Sequence, residues 1–200
     1  MSTRSNVLPD ERFVALRPAL EERVLLAAHT VTAENFPGFL DAAARDTLLH
    51  GFRAAGAHEG TVWLADATRE HLVAAFNSGP RADEIAGHFR QSLRAGMISL
   101  VFASEQPLCE NGVHKNARQD KTLDRQLGLL TVAMMAVPFY FARELRGVIS
   151  CVRLKSDAAS EADPPPFSLE NLRALQSAGT VVSKLLDHRL LCDTVGWGGA

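Results

Sequence analysis

Three cysteines and seven histidines are the residues of this 200-residue chain best suited to chemistry. Cys109, Cys151 and Cys192 lie far apart and form no Cys-x-x-Cys pair, so their pattern is neither a disulfide framework nor a zinc site. The stretch "GMISLVFASEQPLCENGV", Gly96 to Val113, sets Cys109 between a helix-like apolar run and a turn. A reactive thiolate needs a helix N-terminus or a nearby cation to lower its pKa. Cys109 instead follows a helix end and Pro107, with His114 and Lys115 the nearest basic residues, and reads as a half-buried strand residue. Cys151, within "GVISCVRL", reads as a buried, inert thiol, and Cys192 as a residue near the end of a helix. The histidines, among them His50, His58, His71, His114 and His188, show no metal-ligand spacing. His88 or His114 could supply a haem axial ligand, with no second feature to accompany it. No catalytic residue and no metal site emerge.

The elements that must position these residues follow from hydrophobic period. "RPALEERVLLAAHTVTA" reads as a helix with Pro18 in its first turn, preceded by a polar, loosely held N-terminus over residues 1–16. "FPGFLDAAARDTLLHGFRAAGA" reads as a second helix, with Leu40, Ala44, Leu48 and Phe52 as its stripe. "GTVWLADA" and "HLVAAFNSG" read as a hairpin, and "GHFRQSLR" as a weaker third strand. A short helix is expected after Gly96, an extended piece at "PLCENG", and a polar loop with one helical turn near Leu123. "LTVAMMAVPFYF" and "ELRGVISCVRLK" are apolar at most positions and read as central strands covered on both faces. The Pro run of "SDAASEADPPP" forms a loop, and Ser168 caps a last helix running to about Asp193, followed by a tail over 196–200. Short turns between neighbouring strands imply antiparallel pairing, and helices gathered at the chain's ends imply an α+β fold over residues 17–195.

Composition narrows the function classes. The formal net charge is −2, which argues against the broad positive footprint that nucleic-acid binding needs. No apolar run approaches the ~20 residues of a membrane helix, and no signal-peptide core follows the N-terminus. The expectation is a soluble, cytoplasmic protein that binds neither nucleic acid nor membrane.

From about Ala43 to Leu191 the chain resembles the GAF domain family. The likeness rests on the order of several pieces: the strand "GTVWLADA", the glycine–short helix–Pro stretch from Gly96, and the Gly-Val-Ile strand in "ELRGVISCVRLK". It also rests on an Asp-x-x-x-Gly stretch leading to a Pro, carried by Asp124, Gly128, Ala133 and Pro138. The resemblance implies a GAF/PAS-like antiparallel sheet of five or six strands, terminal helices on one face, and a short helix and loops enclosing a pocket on the other. Family members sense small molecules and often dimerise through their terminal helices. Carried over, the pocket candidates are Phe89, Ser92, Ile98, Val101 and Phe102 around the short helix. Asn111, His114, Asp124, Thr131 and Met135 follow from the loop and the next strand. Leu175, Val182, Leu185 and Leu186 are the dimer-helix candidates. Met134 and Met135 must face opposite sides of one strand.

The family's ligand motifs are incomplete here. Nucleotide-binding relatives carry Asn-Lys, Phe and Asp-Glu across this loop, where this chain has Asn116, Gln119, Asp124 and Arg125. Bilin-binding relatives pair a cysteine with an adjacent histidine, which is missing. Methionine sulfoxide reductases of the family place a cysteine just after the glycine that opens the short helix, where Met97 and Ile98 stand. No cofactor is evident, and cyclic nucleotides and tetrapyrroles lack intact motifs. The expectation is a stand-alone small-molecule sensor, not an enzyme, acting through a homodimer or a separate signalling protein. The alternatives are a free methionine-R-sulfoxide reductase using Cys109 and a ligand-free dimerisation module.

Overall fold

The apolar runs of the chain pair into one six-stranded antiparallel sheet. The structure, a computed structural model, describes residues 11–156 and 162–197, with side chains from Val14 onward. The strands are β1 (Glu59–Ala65), β2 (His71–Asn77), β3 (Arg90–Ser92), β4 (Leu108–Asn111), β5 (Leu129–Phe141) and β6 (Glu144–Ser156). Their order across the sheet is β3-β2-β1-β6-β5-β4. The long β5–β6 hairpin and β1 form the middle, so their continuous apolar runs have both faces to bury.

One face carries the chain's terminal helices: α1 (Glu11–His29), α2 (Phe36–Phe39), α3 (Ala42–Ala54) and α7 (Leu169–Val195). Leu48 and Phe52 of α3 and Leu175, Val182, Leu186 and Leu190 of α7 meet Val62, Val73, Met135 and Ile149 of the sheet in the larger core. The other face is covered by three short helices: α4 (Ala82–Ile85), α5 (Met97–Ser104) and α6 (Thr122–Leu127). There Ile85, Ile98 and Val101 pack on Trp63, Leu72, Ala136 and Val148. The sheet thus separates a helical layer from a layer of short helices and loops.

Several expected boundaries move, each for a local reason. The first helix starts at Glu11, so Pro18 lies inside it and removes one amide donor. The part of the expected loose N-terminus over residues 1–10 lies outside the described residues, as do 157–161 of the Pro-rich loop and 198–200 of the tail. The second helix is two, because the Asp41 carboxylate accepts the Ala44 amide at 2.7 Å and starts α3 afresh. The third strand shrinks to Arg90–Ser92. The last helix runs two residues past Asp193, from a capping box between Ser168 and Asn171 to Gly196 in the left-handed region.

The dimer-helix candidates need correcting. Leu175, Val182 and Leu186 are fully or almost fully buried, and Leu185 packs against the same core. Successive positions at helical spacing turn this stripe onto the chain's own sheet. Leu169, Val181, Leu191 and Val195 are the exposed large apolar positions of α7 instead.

Four ties fasten the helical layer. Gly51 of α3 lies so close to Ala178 of α7 that an added Cβ would overlap the alanine side chain. Gly179 of α7 rests against Ile149 and Val137. The carboxylate of Asp187 accepts the Ala142 amide at 2.5 Å in the β5–β6 turn, and the Ser183 hydroxyl donates to the Tyr140 carbonyl. Arg153, buried on the same face, donates Nε to the Gly56 carbonyl at 2.8 Å and Nη1 to those of Pro165 and Pro166, with its guanidinium over Phe167. Gly51→Leu is expected to wedge α3 from α7 and lower the unfolding free energy by about 2 kcal/mol. Urea denaturation with an unchanged slope checks it.

Candidate functional site

Strand alternation would send Asn77 and Thr131 to the helix side, with Val73 and Met135. Two β-bulges reverse them. On β2, Phe76 pairs with Val62 but Ala74 pairs with Trp63, so Ala75 is the extra residue. On β5, Thr131 pairs with Leu154 but Ala133 pairs with Arg153, so Val132 is the extra residue. Each inserted residue moves the next side chain to the opposite face. Asn77 and Thr131 therefore point away from the helices, beside Thr61 and Ser150.

These polar residues floor a cavity between the sheet and the short helices. Glu59, Thr61 and Trp63 of β1, Asn77 of β2, Gln91 of β3, Thr131 and Met134 of β5, and Ser150 and Val152 of β6 line it. Phe89, Met97, Ile98, Leu123 and Leu127 enclose it from above, and Gln119, Asp120 and Asp124 stand at its loop side. The space open to the centre of a water molecule is about 70 Å³. At roughly 10–15 Å³ per water, that holds a few waters or a ligand of a few heavy atoms. A nucleotide does not fit this closed arrangement.

The floor is ordered by its own hydrogen bonds. Asn77 Nδ2 donates to Thr61 Oγ1 at 2.9 Å, and its Oδ1 accepts the Gly79 amide at 2.7 Å. Trp63 Nε1 donates to Ser150 Oγ at 2.9 Å, which fixes the indole in the wall. Trp63 and Phe89 meet nearly at right angles with centroids 6.0 Å apart. Glu59 lies against Gly79, where any side chain would collide with the carboxylate. Burial pushes the Glu59 carboxyl above its ordinary value, against the lowering effect of Asn77.

The cover is held by side chains that reach backbone. Gly96 opens α5 at φ +91, and the amide of Gln91 fills the space its Cβ would take. Ser99 Oγ donates to the Ser92 carbonyl at 2.8 Å. The Asp124 carboxylate accepts from the Thr131 amide at 2.9 Å, Thr131 Oγ1 at 2.7 Å and Gln119 Nε2 at 2.8 Å, and so joins α6 to β5. Arg81 donates to the Leu127 carbonyl at 3.3 Å at the other end of α6. Gln119 Oε1 is buried and has no hydrogen-bond partner.

Of the expected pocket residues, Phe89, Ile98, Asp124 and Thr131 line the cavity. Val101 and Phe102 lie on the same side of the sheet but pack in its smaller core without reaching the cavity. Ser92 supports α5 through its carbonyl rather than lining the space. Asn111 is turned elsewhere: its side chain exchanges two hydrogen bonds with the backbone of Phe167, at 3.1 and 2.8 Å. His114 lies outside the lining, its carbonyl accepting from Lys121. Met135 is fully buried on the helix face, and Met134 is the methionine of the cavity wall. The bulge at Val132 is the cause, since unbroken alternation puts Thr131 and Met135 on one face. Sequence reasoning missed Glu59, Thr61, Trp63, Asn77, Gln91 and Ser150. The legible signal was a polar residue interrupting an otherwise apolar strand, as in Thr61, Asn77 and Ser150.

None of the three thiols lines the cavity. Cys109 packs towards the helix side with its sulfur 3.9 Å from the Phe167 carbonyl, and burial followed by Glu110 raises its pKa. Burial also raises that of Cys151, while Cys192 lies beside His188 on α7. Both raised thiols are less nucleophilic at neutral pH for want of thiolate. Among the described residues no three His, Cys, Asp or Glu side chains are grouped to hold a metal ion, and no helix is long and apolar enough to cross a membrane.

A carboxyl whose folded pKa is raised is worse off charged in the fold than in the unfolded chain. The Glu59 contribution to stability therefore falls as pH rises from the ordinary carboxyl value of 4.5 through its higher folded value. Glu59→Gln is expected to melt higher than the wild type at pH 7, with the difference closing below pH 4.5. Paired thermal melts at the two pH values check this.

Comparison with known proteins agrees with this architecture. Residues 40–186 match the GAF domain family. The GAF domain of a phosphoenolpyruvate-protein phosphotransferase from Coxiella burnetii superposes with a TM-score of 0.59 at 15% identity, over 89% of this chain and 95% of that one. Free methionine-R-sulfoxide reductase from Neisseria meningitidis, in complex with its substrate, gives 0.54 at 14% identity, over 90% and 93%. The GAF-B domain of DevS from Mycobacterium smegmatis gives 0.53 at 18% identity, over 72% and 90%. No curated protein sequence matches significantly. With three quarters of its length matched and the sheet, helical layer and covered cavity in place, the chain belongs to the GAF domain family.

Proposed function

We propose that this protein is a regulatory, signal-transducing GAF domain that senses a small molecule held in the cavity between its sheet and short helices. The observation that carries this reading is the buried polar floor. Thr61, Asn77 and Ser150 are only 7%, 6% and 3% exposed, beside buried apolar neighbours such as Val62, Phe76 and Ile149. Burying polar groups costs stability unless they are hydrogen-bonded, and a plain core has no use for them. The two bulges that bring Asn77 and Thr131 here serve the same end. The cavity is not filled by its aromatic neighbours, since Phe89 forms a wall and Phe102 packs elsewhere. That favours ligand binding over an interaction module with a closed core.

A reductase reading has less support. A free methionine-R-sulfoxide reductase in complex with its substrate shares the fold, but here Cys109 faces away from the cavity and its thiol is raised in pKa. The three free cysteines fit a reduced, cytoplasmic setting.

Val152→Phe is expected to fill the cavity and abolish small-molecule binding while leaving the melting temperature unchanged or higher. Native mass spectrometry of gently purified protein, followed by thermal-shift screening of both forms, reads the result. Equal ligand responses in the two forms would sink the cavity reading.

For output we propose a homodimer formed through the terminal helices. The support is the exposed apolar residues of α1 and α7, Val14, Leu16, Leu26, Val181, Leu191 and Val195 among them. Val181→Glu with Leu191→Glu is expected to turn the dimer into a folded monomer, measured by light scattering. A wild type that stays monomeric at high concentration would instead assign the output to a separate signalling protein.

A further inference from the structure

The cavity has acidic groups and no basic ones. Glu59, Asp120 and Asp124 belong to its lining, and no lysine, arginine or histidine does. Among the described residues none of the three carboxylates has a salt bridge; the salt bridges fall elsewhere, as between Lys155 and Asp163 or Arg146 and Glu144. The basic residue nearest Glu59 in sequence, His58, lies outside the lining, with its Nδ1 accepting the Leu154 amide at 3.1 Å.

The three carboxylates are not equivalent. Asp124 is occupied by Thr131 and Gln119. Asp120 accepts from the Thr122 amide and hydroxyl. Glu59 has no such set of local donors: burial raises its carboxyl against a hydrogen bond from Asn77, and its carboxylate occupies the space a Gly79 side chain would take. Across the same space the Gln119 carbonyl oxygen is buried without a donor. The walls between them are the aromatic pair Trp63 and Phe89, together with Ile98 and Met134. An acidic group, a vacant acceptor and aromatic rings within one small enclosure match an organic cation. Its N–H groups would satisfy the acceptors, its charge the carboxylate and the rings, and its alkyl part the apolar walls.

We propose that the cavity takes a small alkylammonium ion, held by the Glu59 carboxylate and the Gln119 carbonyl and walled by Trp63 and Phe89. This rests on the reading of the cavity as a ligand site. An anionic ligand such as a phosphate or carboxylate would meet like charge with no lysine, arginine or histidine in the lining to compensate it. A metal ion would lack ligands, since no three suitable side chains converge among the described residues. The enclosed volume of about 70 Å³ limits the guest to a few heavy atoms.

The chain has two tryptophans, and Trp197 is 82% exposed. Trp197→Phe therefore leaves Trp63, in the cavity wall, as the only tryptophan. Its fluorescence is titrated with n-butylammonium, n-butanol and propionate, probes of matched size and different charge. The expected result is a saturable change with n-butylammonium at least tenfold tighter than with the other two, and at least tenfold weakened in Glu59→Gln. Butanol or propionate binding as tightly as the amine, or an amine affinity unchanged in Glu59→Gln, would overturn the assignment while leaving a ligand cavity in place. No saturable change with any of the three, in a protein whose Val152→Phe form also behaves identically in small-molecule screening, would bring down both readings.

Discussion

A β-strand turns alternate side chains to opposite faces, and the organisation of this molecule depends on where that rule is broken. β5 and β6 must bury apolar residues on both sides at once, against long helices on one face and short ones on the other. Strict alternation would leave no polar residue from β2 or β5 at the cavity. Single insertions at Ala75 and Val132 change this without disturbing the core. Upstream residues such as Val73 and downstream ones such as Ala133 and Met135 still serve the helix side, while Asn77 and Thr131 are turned over. The bulges let one sheet supply an apolar bed for α7 and a polar floor for a guest.

The cover depends on the floor in turn. Thr131, once turned towards the cavity, offers both its amide and its hydroxyl to Asp124. That carboxylate is the link from α6 to the sheet, and through Gln119 it also holds the loop before α6. Gln91, at the far edge, braces the opening of α5 through the Ala95 carbonyl. Cover and floor are thus one hydrogen-bonded unit, and a guest that recruits Gln119 or Glu59 acts on both.

Much of the architecture was legible in the sequence because hydrophobic period and turn residues speak locally. The β1–β2 and β5–β6 hairpins, the short helix after Gly96, the helical turn at Leu123 and the Ser168 cap all follow from residues close to one another. The candidate site was legible only in part because it is set by register. A bulge is a mismatch between two strands, and neither strand announces it alone. Met135 was therefore assigned to the wrong face, and Asn77 was passed over. Asn111 illustrates a second limit: its partner, the Phe167 backbone, lies across a proline-rich loop that local pattern does not position. Leu175, Val182 and Leu186 illustrate a third, since an apolar stripe does not say whether its own sheet or another copy covers it.

Gly179 gives the layered arrangement a mechanical meaning. At this point α7 has no side chain, and its backbone rests on Ile149 and Val137. Ile149 is the immediate neighbour of Ser150, which looks into the cavity. The partition between the guest's chamber and the last helix is here one strand thick, with little compliant material on the helix side. A floor shifted by a fraction of an ångström would reach α7 through the Ile149 and Val137 side chains alone, since the helix contributes no side chain of its own at this point. The glycine halves the layer of side chains through which floor and helix feel each other.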